Sequence, residues 1–240
     1  DRFTKNFEDI IQDDDIKIVV EVMGGLHPAF EFVKQCLEKG KSVVTSNKEL
    51  VASKGAELLK IAKEKNVNFL FEASVGGGIP IIRPLQTSLA PDEIDEISGI
   101  LNGTTNFILT EMTENGSDFD SVLKDAQAKG YAEADPTADV EGYDACRKIA
   151  ILTSLAYGKQ LDFEDIYTEG ITKITDRDIK YAAKLKAKVK IFGSSKLAGD
   201  KVSAMVAPKL ITHDHPLYSV DGVFNAILVK GNMVGDVMFY

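Results

Sequence analysis

Over roughly its first third the chain alternates between apolar β-branched runs and amphipathic stretches. Residues 7–11 predict a short helix, and residues 16–22 (IKIVVEV) a strand that stops at Gly24-Gly25. Residues 28–39 repeat apolar side chains at helical spacing, with Pro28 near the first turn and Gly40 beyond the last. A strand at 42–45, a helix at 48–65 and a strand at 68–71 follow. Strand, helix, strand, helix, strand predicts βαβ units and a parallel sheet. In such sheets ligands lie beyond the carboxyl ends of the strands. Those ends are Met23-Gly24-Gly25, Thr45-Ser46-Asn47-Lys48 and Glu72-Ala73-Ser74.

Beyond Gly78 the pattern changes. A helix is predicted at 81–89, and a strand at 94–101 that runs into Asn102-Gly103-Thr104-Thr105. The next helix opens by 107–112, with Thr104 or Thr105 as its N-cap. A helix at 119–129, a loop at 132–142 broken by Pro136 and Gly142, and a helix from 143 to about 158 come next. After a helix at 179–187, four strand-like runs close the chain at 188–192, 201–208, 222–229 and 233–239. Runs of strands after runs of helices predict an α+β unit.

Composition narrows the class. Hydrophobic residues make up 44% and charged residues 27% of the 240, an ordinary balance for a globular protein. No apolar run reaches about 18 residues, so no membrane-spanning helix is expected. A net charge of −9 argues against nucleic acid or an anionic membrane surface as partner. Cys36 and Cys146 fit no metal or redox spacing, which points to a reducing compartment, and a cytoplasmic location is expected. His213 and His215 form a pair before Pro216 that reads as a turn. The chain starts at Asp1 without a leader pattern and ends on an apolar run, and it reads as a piece of something longer. Nowhere does a GxGxxG follow a strand, so the pyrophosphate-binding first half of a nucleotide sheet is expected to be missing. Gly76–Pro80 (GGGIP) is glycine-rich but is not a phosphate loop.

The densest chemistry lies in residues 130–148, GYAEADPTADVEGYDACRK. Glu133, Asp135, Asp139, Glu141 and Asp144 crowd together just before Arg147 and Lys148. On a helix starting at Tyr143, Asp144 and Lys148 lie one turn apart on one face. One reading is a solvated acidic loop with a surface ion pair worth about 0.3–0.5 kcal/mol. Another gathers the acids and the lysine into a site for a small cationic substrate with a positioned proton donor. A calcium loop fails, because counting from Asp135 puts Val140 where a glycine is needed and Cys146 where a bidentate acid is needed.

This stretch resembles the signature of the homoserine dehydrogenases. TSNKELVA from Thr45, FEASVGGGIPII from Phe71 and GILNGTTNFILTEM from Gly99 resemble other motifs of that family, in the same order. The resemblance runs from about Ile18 to the end. It implies a partial Rossmann-type parallel sheet, residues 1–75 being the C-terminal half of a nucleotide-binding domain. Residues 76–240 would then be an α+β substrate-binding and dimerisation domain. It further implies hydride transfer between NAD(P) and aspartate 4-semialdehyde or homoserine, in the biosynthesis of threonine, methionine and isoleucine, by a homodimer or higher homo-oligomer.

The same resemblance implies roles for individual residues. Lys148 would be the proton donor, Lys48 a second lysine in the relay, and Asp144 the holder of Lys148. Glu133 and Asp139 would accept the substrate ammonium, with Tyr131, Gly103 and Thr104 completing the pocket. Met23, Gly24, Ser46 and Lys48 would border the nicotinamide and its ribose. Glu72 and the carbonyls of Val75, Gly77 and Ile79 would hold a sodium-like ion. Two rivals remain open from sequence: another Rossmann reductase of an amino-acid-derived carbonyl, and a non-catalytic assembly module.

Overall fold

The computed structural model describes residues 3–240. The chain divides into two compact units, one up to Gly78 and one from Ile79 to Tyr240, against an expected boundary after residue 75.

The first unit contains α1 (Phe7–Gln12), β1 (Ile18–Glu21), α2 (Ala29–Glu38), β2 (Ser42–Thr45), α3 (Lys48–Lys65) and β3 (Phe69–Leu70). The strands pair in parallel in the order β1-β2-β3, as the βαβ pattern requires. Helix α2 buries Ala29, Val33, Cys36 and Leu37, and α3 buries Leu50, Val51, Ala52, Leu58 and Ala62. An asparagine sets each end of α3: the Asn47 side chain caps its start, and the Asn66 backbone closes it in the left-handed conformation at φ 54°. A 3₁₀ turn at Glu72–Ser74 follows β3.

The second unit contains α4 (Ile82–Thr87), β4 (Ile94–Ile100), α5 (Gly103–Asn115), α6 (Phe119–Ala128), α7 (Thr137–Val140) and α8 (Tyr143–Tyr157). Then come β5 (Tyr167–Thr168), α9 (Asp176–Lys184), β6 (Ala187–Ala198), β7 (Lys201–Thr212), β8 (Ala226–Gly231) and β9 (Gly235–Phe239). Its mixed sheet runs in the order β5-β7-β6-β4-β8-β9.

Several expectations shift here. The loop at 132–142 contains the short helix α7, which starts after Pro136. Asn102, and neither Thr104 nor Thr105, caps α5. Helix α9 starts at Asp176 because Thr175 and Asp178 form a reciprocal capping box. Strands β6 and β7 are longer than predicted, since their hairpin pairs every residue from Ala187↔Thr212 to Ala198↔Lys201. Strand β5 was not anticipated.

Gly193 lets α8 sit close to the sheet. Gly99 and Gly193 are cross-strand partners on β4 and β6. A Cβ on Gly193 would lie 2.8 Å from Leu101 Cδ1 and 3.2 Å from Ile149 Cβ. The opposite face of the sheet carries Ile100, Phe192, Ile211 and Leu228, packed with Leu217 and Val220. Among the described residues no helix is long and apolar enough to cross a membrane.

Candidate functional site

In the second unit the site is built where β4 ends. Asn102 follows the strand and caps α5, its Oδ1 accepting from Thr105 N at 2.9 Å. Its amide nitrogen points the other way and donates to Asp139 Oδ1 at 2.7 Å and to Asp144 Oδ2 at 2.9 Å. A single side chain thus bridges α7, α8 and the α5 N-terminus. Lys148 Nζ, one turn along α8, donates to Asp144 Oδ2 at 2.7 Å and to the Leu101 carbonyl at 2.8 Å. The close seat of α8 on Gly193 is what lets this lysine reach the end of β4.

Burial rules out a surface ion pair for Asp144 and Lys148. The side chains are 5% and 15% exposed, so this is not a surface pair. Removing one partner of such a buried pair costs about 3–5 kcal/mol, against well under 1 for an exposed one. Asp139 sits half-buried beside it. Burial pushes its carboxyl above the ordinary range and the charge of Asp144 pushes the same way, while Asn102, Thr104 and Lys148 pull it down.

The loop carrying these acids is docked by backbone contact. Ile171 N donates to the Val140 carbonyl at 2.8 Å. A Cβ on Gly170 would meet that same oxygen at 2.1 Å, so only glycine fits there. Gly142 precedes α8 at φ +84°, a conformation that L side chains rarely adopt.

Other predicted residues fall around this core. Thr104 Oγ1 donates to the Tyr131 carbonyl at 2.6 Å, tying the α5 N-terminus to the start of the acidic loop. The Tyr131 ring is half-exposed and stands edge-on to Phe107 at 5.1 Å. Gly103 opens α5 where a Cβ would press on the Val223 carbonyl at 2.8 Å. Glu133 is exposed, and its carbonyl accepts from Gln127 Nε2 at 3.0 Å. The structure does not bring its carboxylate into the Asn102 cluster. Cys146 is buried on α8, and burial pushes its thiol up, away from a nucleophile's range.

Sequence reasoning missed Asn102, whose signal was an N-cap residue at a strand end. It also missed a buried lysine. Lys190 is 1% exposed and donates to Asn106 Oδ1 at 2.9 Å, the Val220 carbonyl at 2.7 Å and Asp221 Oδ1 at 2.7 Å. Asn106 donates in turn to the Val220 and Phe224 carbonyls. This network fastens residues 220–224 to α5, just where Val223 meets Gly103.

In the first unit, the turns after β1 and β2 are linked. Glu21 is buried, and its carboxylate accepts from Met23 N at 2.6 Å and from Thr45 Oγ1 at 2.5 Å. Thr45 Oγ1 accepts from Asn47 N at 2.9 Å, and Asn47 Nδ2 donates to the Gly25 carbonyl at 2.7 Å. Met23, Gly24 and Ser46 are exposed, and Lys48 is half-buried at the first position of α3. A Cβ on Gly24 would meet nothing within 4 Å. An apolar side chain, open backbone and two polar groups at a helix start fit a nicotinamide riboside. Glu72 opens the 3₁₀ turn, with buried Val75 and exposed Gly77 after it, and Ile79 opens the second unit. One carboxylate and three carbonyls are the donor chemistry of a hard cation.

A three-stranded parallel βαβ sheet followed by a mixed sheet that carries a buried lysine–carboxylate cluster defines a two-unit α/β protein of Rossmann type. The family model for homoserine dehydrogenase matches residues 80–240, and the model for the homoserine dehydrogenase NAD binding domain matches residues 1–72. The chain belongs to the homoserine dehydrogenase family. It is 49% identical over 241 residues to the homoserine dehydrogenase of Synechocystis, covering 99% of this chain and 56% of that one. The crystal structure of a homoserine dehydrogenase from Thiobacillus denitrificans superposes with a TM-score of 0.95 at 48% identity, covering 99% of this chain and 55% of the other. A hyperthermophilic archaeal homoserine dehydrogenase in complex with NADPH matches at a TM-score of 0.85 and 32% identity, over 99% of this chain and 69% of that one. The chain spans about half the length of the curated relatives it matches.

Proposed function

We propose that the protein catalyses reversible hydride transfer between NAD(P) and C4 of L-aspartate 4-semialdehyde or L-homoserine, a step in the biosynthesis of threonine, methionine and isoleucine. The observation that carries this reading is the buried Lys148–Asp144 pair, held to Asp139 through Asn102. A bound nicotinamide supplies or accepts the hydride. The chain's part is the proton. An ammonium has three N–H donors, and Lys148 spends two on Leu101 and Asp144. The third is the donor to the substrate oxygen, stabilising the developing alkoxide and then protonating it. Lys48 serves as the second lysine at the cofactor end.

The substrate's α-ammonium goes to Asp139 and Glu133, with Tyr131, Gly103 and Thr104 as pocket walls. Ionised Asp139 is costly in its half-buried place, and an incoming cation relieves that cost. Met23, Gly24, Ser46 and Lys48 border the nicotinamide and its ribose. Glu72 and the carbonyls of Val75, Gly77 and Ile79 hold a sodium ion. The mixed sheet provides a homo-oligomer contact. Half-exposed Met205 and Met238 end one cross-strand row, Met205–Ser194–Ser98–Leu228–Met238, on a single face.

The match of both family models favours this reading over another reductase of the same fold. Its test is the rate of NAD(P)+ reduction by the full-length protein with L-homoserine against other β- and γ-hydroxy amino acids. Equal rates across that set would replace homoserine with a broader substrate class.

A further inference from the structure

Glu21 is an acidic side chain in a buried place. It is 4% exposed at the end of a β-branched strand, and among the described residues its carboxylate is held by an amide and a hydroxyl. One oxygen takes the amide of Met23 and the other takes the hydroxyl of Thr45, its register partner on β2. Thr45 in turn takes the amide of Asn47, whose side chain returns to the carbonyl of Gly25. The bonds run from the turn after β1 to the turn after β2 and back. Backbone alone would leave these two turns independent, since pairing of β1 with β2 ends at Glu21↔Thr45.

We infer that Glu21 is a positioning residue for the dinucleotide site: it locks residues 23–25 and 45–48 into one rigid edge on which the nicotinamide riboside lies. The inference rests on the cofactor reading above. It does not make Glu21 a catalytic residue, because its carboxylate is used up by the two turns. Two acceptor oxygens are needed, one for each donor. Glutamine at this position offers one oxygen and sets an N–H against a donor. Valine at Thr45 keeps the shape of the strand and removes the hydroxyl that joins the turns, whereas serine keeps it.

The experiment is a fluorescence titration of the full-length protein with NADPH, with steady-state kinetics and melting curves alongside. Glu21→Gln raises the NADPH Kd and the cofactor KM by about tenfold or more, with the KM for homoserine near wild type. Thr45→Val shifts the same constants in the same direction, and Thr45→Ser restores them. Should Glu21→Gln fail to fold, the Thr45 pair carries the test. Variants that melt earlier yet bind NADPH as wild type does would reduce Glu21 to a structural clip and overturn the inference. If wild type itself fails to bind NADPH, the cofactor reading falls and this one with it.

Discussion

Two strand-to-helix junctions in this molecule use the same residue to different ends. At the end of β2, Asn47 caps α3 through Leu50 N; at the end of β4, Asn102 caps α5 through Thr105 N. The other end of each amide differs. Asn47 Nδ2 donates to a neutral backbone carbonyl, Gly25. Asn102 Nδ2 donates to two carboxylates, Asp139 and Asp144. A tie to a neutral group fixes shape alone. A tie between like charges holds a mutual repulsion in place, which the neighbouring cation Lys148 relieves. The first junction is therefore a frame and the second a charged machine, although the local capping chemistry is the same.

The largest effect belongs to Lys148. Lys148→Ala should lower kcat by about 10² or more while NADPH binding stays near wild type, read by steady-state kinetics and titration. Retention of more than about a tenth of the activity, less than ~1.4 kcal/mol of barrier, would remove Lys148 from the proton transfer. The comparison itself is tested by Asn102→Asp and Asn47→Asp. Both keep a good N-cap. The first sets a third carboxylate against two others and should cost about 2–4 kcal/mol in chemical denaturation. The second meets only a carbonyl and should cost about 1–2 kcal/mol. Equal losses would mean that the charges around Asn102 do not matter.

Glu133→Gln is expected to raise the homoserine KM by about tenfold with a smaller change in kcat. The reverse split would move Glu133 into the chemistry. The smallest effect concerns stability and pH. Asp139 has its pKa raised in the fold, chiefly by burial, so the fold disfavours its ionised form relative to the unfolded chain. The stability it contributes is fully present at acid pH, below its unfolded pKa, and is lost as pH rises through the folded one. Asp139→Asn should therefore raise the melting temperature slightly at neutral pH, with the gain vanishing in acid, while homoserine binding is weakened. A lower melting temperature at neutral pH would contradict this account of its burial.

What could be read from the chain was whatever adjacent residues decide. Strand β2, helix α3 and helix α8 fall where the apolar runs, and Gly158 at the end of α8, put them. The pairing of Asp144 with Lys148 followed from helical spacing. Bonds between distant residues left no such mark. Asn102 meets acids 37 and 42 residues away, so its role as their bridge depends on how α7 and α8 pack. Strand β6 runs past Phe192 because its hairpin with β7 carries on through Gly193-Ser194-Ser195, residues with no strand signal of their own, and Lys190 within it is buried against Asp221, 31 positions on. The two-residue β5 carries no pattern of its own and exists because β7 offers it an edge.

Sequence alone settled the βαβ order of the first unit, the likeness to one family, and the placing of an acid and a lysine on one helical face, because these depend on periodicity and spacing within a few turns. Tertiary structure decided which charges are buried and which amide holds them together. Burial and long-range hydrogen bonds arise only when segments far apart in the chain exclude water from the same place.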